Sequence, residues 1–268
     1  MHAALIDRYR LELEPRELFS SSPKTDKSVK FGYLTAVMYF SPADGSGFEV
    51  CTFRSPFCTD LCLNTSGHGG IALDENGLNT VQVARIRRTR WYRRDRRAFM
   101  RRVVRELERL EREAEELGLI LVVRMNGTAD IKWWTSHPCY RGEVRYASVF
   151  DAFSHLQFYD YTKRPVRLWT NLPANLHLTF SLSEENELEA RAALAAGANV
   201  AVVFDAVLER RGRPAGALPE TFWGHPVIDG DVHDLRFLDR QGCVVGLRAK
   251  GRAIGSDSGF VRSSRGGE

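Results

Sequence analysis

Two runs in this chain, LILVVRM at 119–125 and NVAVVF at 199–204, have almost no polar positions. A strand with one wet face alternates apolar and polar residues, whereas a strand covered on both faces is apolar throughout. Both runs therefore predict strands buried on each side. The stretches between such runs have helical spacing, and strands of this kind alternating with helices indicate an α/β protein built on a parallel sheet.

The other elements fit the same plan. Strands are expected at 33–40 (YLTAVMYF), 157–161, 176–182 (LHLTFSL), 227–229 and 243–249. A long helical stretch covers 80–117, broken near 91–95 and stopped by Gly118; shorter helices are expected at 146–156 and 184–196. About six βα units result, which predicts an open (β/α)6 TIM-like partial barrel, with a doubly wound parallel sheet as the alternative. The domain plan is an N-terminal arm at 1–30, a single α/β barrel-like domain at 31–250, and a partly mobile tail at 251–268 rich in Gly, Ser and Arg.

At 268 residues the chain can bury a sizeable core without covalent staples. It has no apolar run approaching the roughly 18 residues of a membrane span, and its N-terminus lacks the apolar core of a signal peptide. The expected location is the cytoplasm. Five cysteines is an odd number, which argues against a disulfide framework. Three of them fall within twelve positions, a density that favours metal or redox chemistry.

Those three are Cys51, Cys58 and Cys62, in a C-x6-C-x3-C segment directly after the first predicted strand. Thiolates are soft ligands suited to zinc, copper(I) or iron–sulfur clusters. A structural zinc site needs a fourth ligand, for which His68 and Cys139 are the candidates. Three thiolates alone suit a [4Fe–4S] cluster with one iron left open.

Active sites of parallel α/β folds lie at the carboxyl ends of the strands. Polar residues follow nearly every predicted strand here. Asp130, Asp160 and Lys163 are the candidate catalytic groups, acting as acid, base or substrate anchor. Asn126, Thr128, Ser181 and Ser183 are placed to bind a cofactor. Asp229, Asp231 and Asp234 read as a turn or, less readily, as a divalent-cation site.

The net charge of +4 is unevenly distributed: 85–105 holds eleven arginines and one acid, Asp95. Arginine–phosphate contacts dominate nucleic-acid affinity, so Arg87, Arg88, Arg90, Arg94, Arg97 and Arg101 are candidate contacts, with Trp91 and Tyr92 available to stack on bases. A solvated helix face, or pairing with the acidic stretch at 106–116, would need no ligand.

The segments CTFRSPFCTDLCLNTSG (51–67), RMNGTADI (124–131), FYDYTKRP (158–165), NLHLTFSLSEEN (175–186), NVAVVF (199–204), VIDGDVHDLRFLD (227–239) and LRAKGRA (247–253) together resemble an uncharacterised family common in phage and prophage genomes. The resemblance covers 24–261. The chain is also similar to a broader group of phage three-cysteine proteins that are distantly radical-SAM-like. Radical SAM enzymes hold their cluster on three cysteines after the first strand of an open barrel; their usual C-x3-C-x2-C spacing is not the spacing found here.

The resulting expectation is a phage-encoded metal- or cluster-binding enzyme acting on nucleic acid or a nucleotide. Its cofactor would be an iron–sulfur cluster with S-adenosylmethionine, its role a radical-SAM-like DNA modification, and its compartment the host cytoplasm. Two alternatives stand beside it. One is a zinc-containing base-exchange or hydrolytic enzyme with carboxylate catalysis. The other is a non-enzymatic, zinc-stapled nucleic-acid-binding protein.

Overall fold

The apolar runs form strands, and the helical stretches form helices between them. The structure, a computed structural model, describes residues 3–20, 25–65, 67–207 and 216–265. In chain order the elements are α1 (Ala3–Arg8), β1 (Phe19–Ser20), β2 (Tyr33–Met38), α2 (Pro56–Asp60), α3 (Thr80–Arg94), α4 (Arg96–Glu116), β3 (Ile120–Arg124), β4 (Cys139–Arg141), β5 (Val144–Tyr146), α5 (Val149–Ala152), β6 (Gln157–Thr162), β7 (Leu176–Ser181), α6 (Glu187–Ala195), β8 (Val200–Val207), β9 (Thr221–Phe222), β10 (His225–Asp229), β11 (Val244–Ala249) and β12 (Val261–Arg262). The architecture is α/β with a large, mostly parallel sheet. No helix among the described residues is long and apolar enough to cross a membrane.

The chain divides into two compact units. The first holds residues up to Thr52, Ile71–Asp160 and Asn171–His177; the second holds Phe53–Gly70, Tyr161–Thr170 and residues from Leu178 onward. In the first unit β2 pairs parallel with β3, and β3 pairs parallel with β6; β1 adds antiparallel to the outer side of β2. In the second, β8 pairs parallel with β7 and with β11, β11 with β10, and β9 closes antiparallel on β10. The segment expected to be a partly mobile tail supplies β12, which pairs with Val203 and Phe204 of β8. Among the described residues no ladder closes the strands of either unit into a ring.

In the first unit the crossover from β2 to β3 carries the arginine-rich helices. The expected break falls at Asp95, the lone acid of the run. Asp95 ends α3 and caps α4, its side chain accepting from the Ala98 amide. Helix α4 turns Phe99, Val103, Leu107 and Leu110 inward, a spacing of three and four that makes one apolar face. Gly118 follows with φ of 65°, the left-handed conformation that ends helices. The second unit packs Ala190, Ala193 and Leu194 of α6 with Phe180, Val200, Val202, Phe204 and Val244 of its strands.

Most of α3 faces inward through its cations. Arg88 is buried and donates to the carbonyls of Tyr39 and Glu17. Arg87 reaches the carbonyls of Tyr9 and Arg10. Arg90 and Arg94 both pair with Glu12. Arg102 binds the carbonyl of Arg16, while its partner Glu106 accepts from the amides of Leu18 and Phe19. The expected N-terminal arm is thus clasped along its backbone. Burial lowers the Arg88 pKa to about 10, which leaves it charged at neutral pH. Of the six arginines expected at nucleic acid, Arg87, Arg88, Arg90 and Arg94 serve this clasp, and only Arg97 and Arg101 stand exposed without it.

An orphaned buried acceptor costs about 1–3 kcal/mol, so Arg88→Leu should lower the unfolding free energy by at least that much. Arg97→Gln, at an exposed position, should stay within about 0.5 kcal/mol of the parent. Chemical denaturation of the two variants checks the difference.

Candidate functional site

In the first unit the residues at the carboxyl ends of β2, β3 and β6 are tied into one network. The loop after β3 runs close against the exit of β2. A Cβ at Gly127 would come within 2.5 Å of the Tyr39 ring and 2.8 Å of Val37, so only glycine passes. The Gly127 amide donates to the Met38 carbonyl at 2.8 Å, and Thr128 Oγ1 to the Phe40 carbonyl at 2.6 Å. The Asp130 amide donates to the Val50 carbonyl at 2.9 Å, next to Cys51. Cys51 is half-buried; its Sγ accepts from the Ala43 amide at 3.3 Å and lies 3.9 Å from the Thr128 carbonyl.

Asn126 is the hub of this loop. Its Oδ1 accepts from the Ile131 amide at 3.1 Å and from the Trp133 indole at 3.0 Å. Its Nδ2 donates to the Ile131 carbonyl and to Asp160 Oδ2, at 3.0 and 3.3 Å. Its backbone amide donates to Asp160 Oδ1 at 3.0 Å. Asp160 is buried in β6, with Arg124 Nε 4.0 Å away. Desolvation pushes the Asp160 pKa up to about 7; the nearby Arg124 and the Met125 and Asn126 amides pull it down, and Asp130 adds repulsion. A carboxyl group poised near neutral pH is suited to give or take a proton.

Behind Asn126, Trp133 is 1% exposed, with its ring 5.2 Å from that of Tyr92 and 4.8 Å from that of His137. Tyr92 and His137 share a hydrogen bond of 2.8 Å, and burial lowers the His137 pKa. Trp91 and Tyr92 are likewise buried, which corrects their expected role as stacking platforms for bases.

In the second unit, Lys163 is buried just beyond β6. Its Nζ donates to Ser181 Oγ at 2.7 Å and to the Ser181 and Leu182 carbonyls at 3.3 and 3.4 Å, and lies 5.4 Å from the Phe260 ring centre. Ser183 is 1% exposed; its amide donates to Asn186 and its carbonyl accepts from Arg262. The next residue, Glu184, reaches α2, the short helix that carries Cys58. One carboxylate oxygen accepts from Ser55 Oγ at 2.7 Å and the other from the Phe57 amide at 3.0 Å. Ser55 in turn accepts from the Cys58 amide at 3.2 Å. Cys58 is thus anchored to the loop after β7, and Cys62, half-buried like it, follows just beyond α2.

The aspartates after β10 form a turn. Asp229 accepts from the Asp231 amide, and both carboxylates pair with Arg248, which lies 2.8 Å from Asp229 and 3.4 Å from Asp231. Lys250 adds a 2.7 Å pair to Asp231, so arginine and lysine supply the charge balance a cation would otherwise bring.

Among the described residues no three His, Cys, Asp or Glu side chains converge as a ready metal site. The side chain of His68, a candidate fourth ligand, lies outside the described residues. Cys139, the other candidate, is a core thiol of β4 whose pKa burial raises to about 11. The sequence showed Asn126, Asp160 and Thr128 as polar groups after strands, and their convergence with Cys51 follows. It did not show that Trp133 orients Asn126 or that Glu184 holds α2, because both contacts join segments far apart or without a motif.

The Asp160 carboxyl holds its proton more tightly when folded than when unfolded. The stability this contributes is present in full below pH 3.8 and is lost as the pH rises through about 7. Asp160→Asn cannot titrate, so the parent's stability measured against that of Asp160→Asn should fall as pH rises across that window. Parallel profiles would remove Asp160 as a group titrating near neutrality.

Comparison with curated proteins and with solved structures finds no match. The family model described as Gene product 88 matches residues 16–264, nearly the whole chain. The chain belongs to the Gene product 88 family.

Proposed function

We propose that the chain is an enzyme that holds an iron–sulfur cluster on Cys51, Cys58 and Cys62 and acts on nucleic acid or a nucleotide. The observation that carries this reading is the anchoring of the cysteine segment at two points. Within the first unit its start is bound to the loop after β3, through Val50 and Cys51. Within the second, α2 is bound to the loop after β7 through Glu184. Both anchors are at carboxyl ends of parallel strands, where catalytic groups of such folds gather.

The donor chemistry fits a cluster: three soft thiols fall within twelve consecutive residues, short enough for the chain alone to bring them to one centre. No preassembled ligand group supports this among the described residues, so the fit rests on that chemistry and on chain reach. When bound, a cluster with an open iron supplies one-electron chemistry, with S-adenosylmethionine as its radical-SAM-like co-substrate. The chain's own residues do the rest. Asp160 exchanges a proton near neutral pH, Asn126 and Trp133 fix its surroundings, and Lys163 fixes Ser181 at the second unit's strand end.

The partial-barrel form of the fold belongs to the same proposal. It is supported by β2, β3 and β6 lying side by side in chain order, and by β7 and β8 doing likewise. A doubly wound sheet reverses its strand order at a switch point within the first few strands. Among the described residues the strand order departs from chain order where β11 lies between β8 and β10 and where β12 returns to β8.

Anaerobic purification followed by iron, zinc and acid-labile sulfide analysis tests the proposal. A brown protein containing iron and sulfide is expected. A colourless protein that binds zinc and refuses a cluster on anaerobic reconstitution would overturn the cluster and favour the hydrolytic zinc alternative.

A further inference from the structure

Helix α4 has its charges the wrong way round for its own dipole. Acids are favoured in a helix's first turn and bases in its last. In α4 the first turn has no acid and the last has no base. Arginines occupy the beginning, and the acids are concentrated toward the end. The acids do not travel back to neutralise them. Glu106 is turned inward with Arg102, Glu113 pairs with Arg109, and Glu108 and Glu111 pair with Arg141.

What remains is a row at intervals of four: Arg97, Arg101 and Arg105, all exposed. Residues four apart lie on one helix face. At 1.5 Å per residue they are spaced by about 6 Å and span about 12 Å. Among the described residues no carboxylate pairs with any of the three. The clasp takes up Arg87, Arg88, Arg90 and Arg94 of α3 but none of these three, and Arg97 sits in the first turn, where the dipole opposes a cation.

We infer that Arg97, Arg101 and Arg105 form a binding face for the phosphate backbone of a single nucleic-acid strand. A regular row of guanidinium groups matches a regular row of phosphates, each able to take a forked pair of hydrogen bonds. The helix's positive end attracts the same anions. A membrane surface fits less well, because interfacial helices expose large apolar side chains beside their cations. Between 96 and 112 this helix exposes none. The inference deepens the nucleic-acid part of the proposed function. It is measured without any cofactor, so its failure leaves the cysteine site untouched.

Fluorescence anisotropy with a labelled single-stranded oligonucleotide at several salt concentrations provides the test. The variant Arg97→Gln/Arg101→Gln/Arg105→Gln should bind at least tenfold more weakly near physiological salt. Losing three phosphate contacts should also reduce the slope of log K against log salt by about two. A control with the same charge loss, Arg145→Gln/Arg167→Gln/Arg252→Gln at exposed positions elsewhere, should bind like the parent. Circular dichroism and thermal melting should show both variants folded. Parent-like binding by the α4 variant would overturn the inference, as would no binding by the parent. Displacement of the strand by polyglutamate at equal charge concentration would overturn it in favour of an acidic protein partner.

Discussion

The fixed geometry of the first unit's site depends on one buried exchange, between the Asn126 amide groups and the Asp160 carboxylate. Asn126 uses both ends of its side chain and its backbone N–H, joining the loop after β3 to β6 and to the Trp133 indole. A buried polar network is stabilising only when every member is satisfied, so none of these groups moves independently. With that loop fixed, Gly127 passes against Tyr39, Thr128 reaches the Phe40 carbonyl, and Asp130 holds Val50 beside Cys51. The first cysteine's position therefore follows from a hydrogen-bonded hub some seventy-five residues away in sequence. The same burial that fixes Asp160 moves its pKa to about 7, so the structural tie also creates a group able to exchange protons near neutrality.

The arginine-rich helices show how one composition serves two purposes. Arg87, Arg88, Arg90 and Arg94 face carbonyls and Glu12 of the N-terminal segment, which also buries Leu11, Leu18 and Phe19. Helix α4 turns its inward face to apolar packing and, apart from Arg102 in the clasp, carries Arg97, Arg101 and Arg105 on an exposed face. The division follows helix phase. The break at Asp95 resets that phase, which is why counting arginines along 85–105 could not separate the two groups.

Much of the scaffold was legible because burial on both faces leaves an unmistakable mark. Runs such as 119–125 and 199–204 became β3 and β8 within a residue or so of their expected start, and Gly118 and Gly197 end helices with φ of 65° and 80°. The short elements were not legible. The hairpin of β4 and β5, three residues each, has no periodicity to detect, and β12 was hidden in a segment whose Gly, Ser and Arg content suggested mobility. In the site, residue types announced themselves but partnerships did not. Lys163 bonds Ser181, Glu184 bonds α2, and Asp229 and Asp231 are matched by Arg248, pairings that only the fold brings together.

Cys51, Cys58 and Cys62 are half-buried, while Cys139 and Cys243 are core thiols whose pKa values burial raises to about 11. Bound-metal stoichiometry of the five single Cys→Ala variants, purified anaerobically, separates these two classes most directly. Loss of metal in each of the first three, with parent-like content in Cys139→Ala and Cys243→Ala, is the predicted result. Equal metal content in all five variants, or a parent protein that takes up no metal, would contradict it.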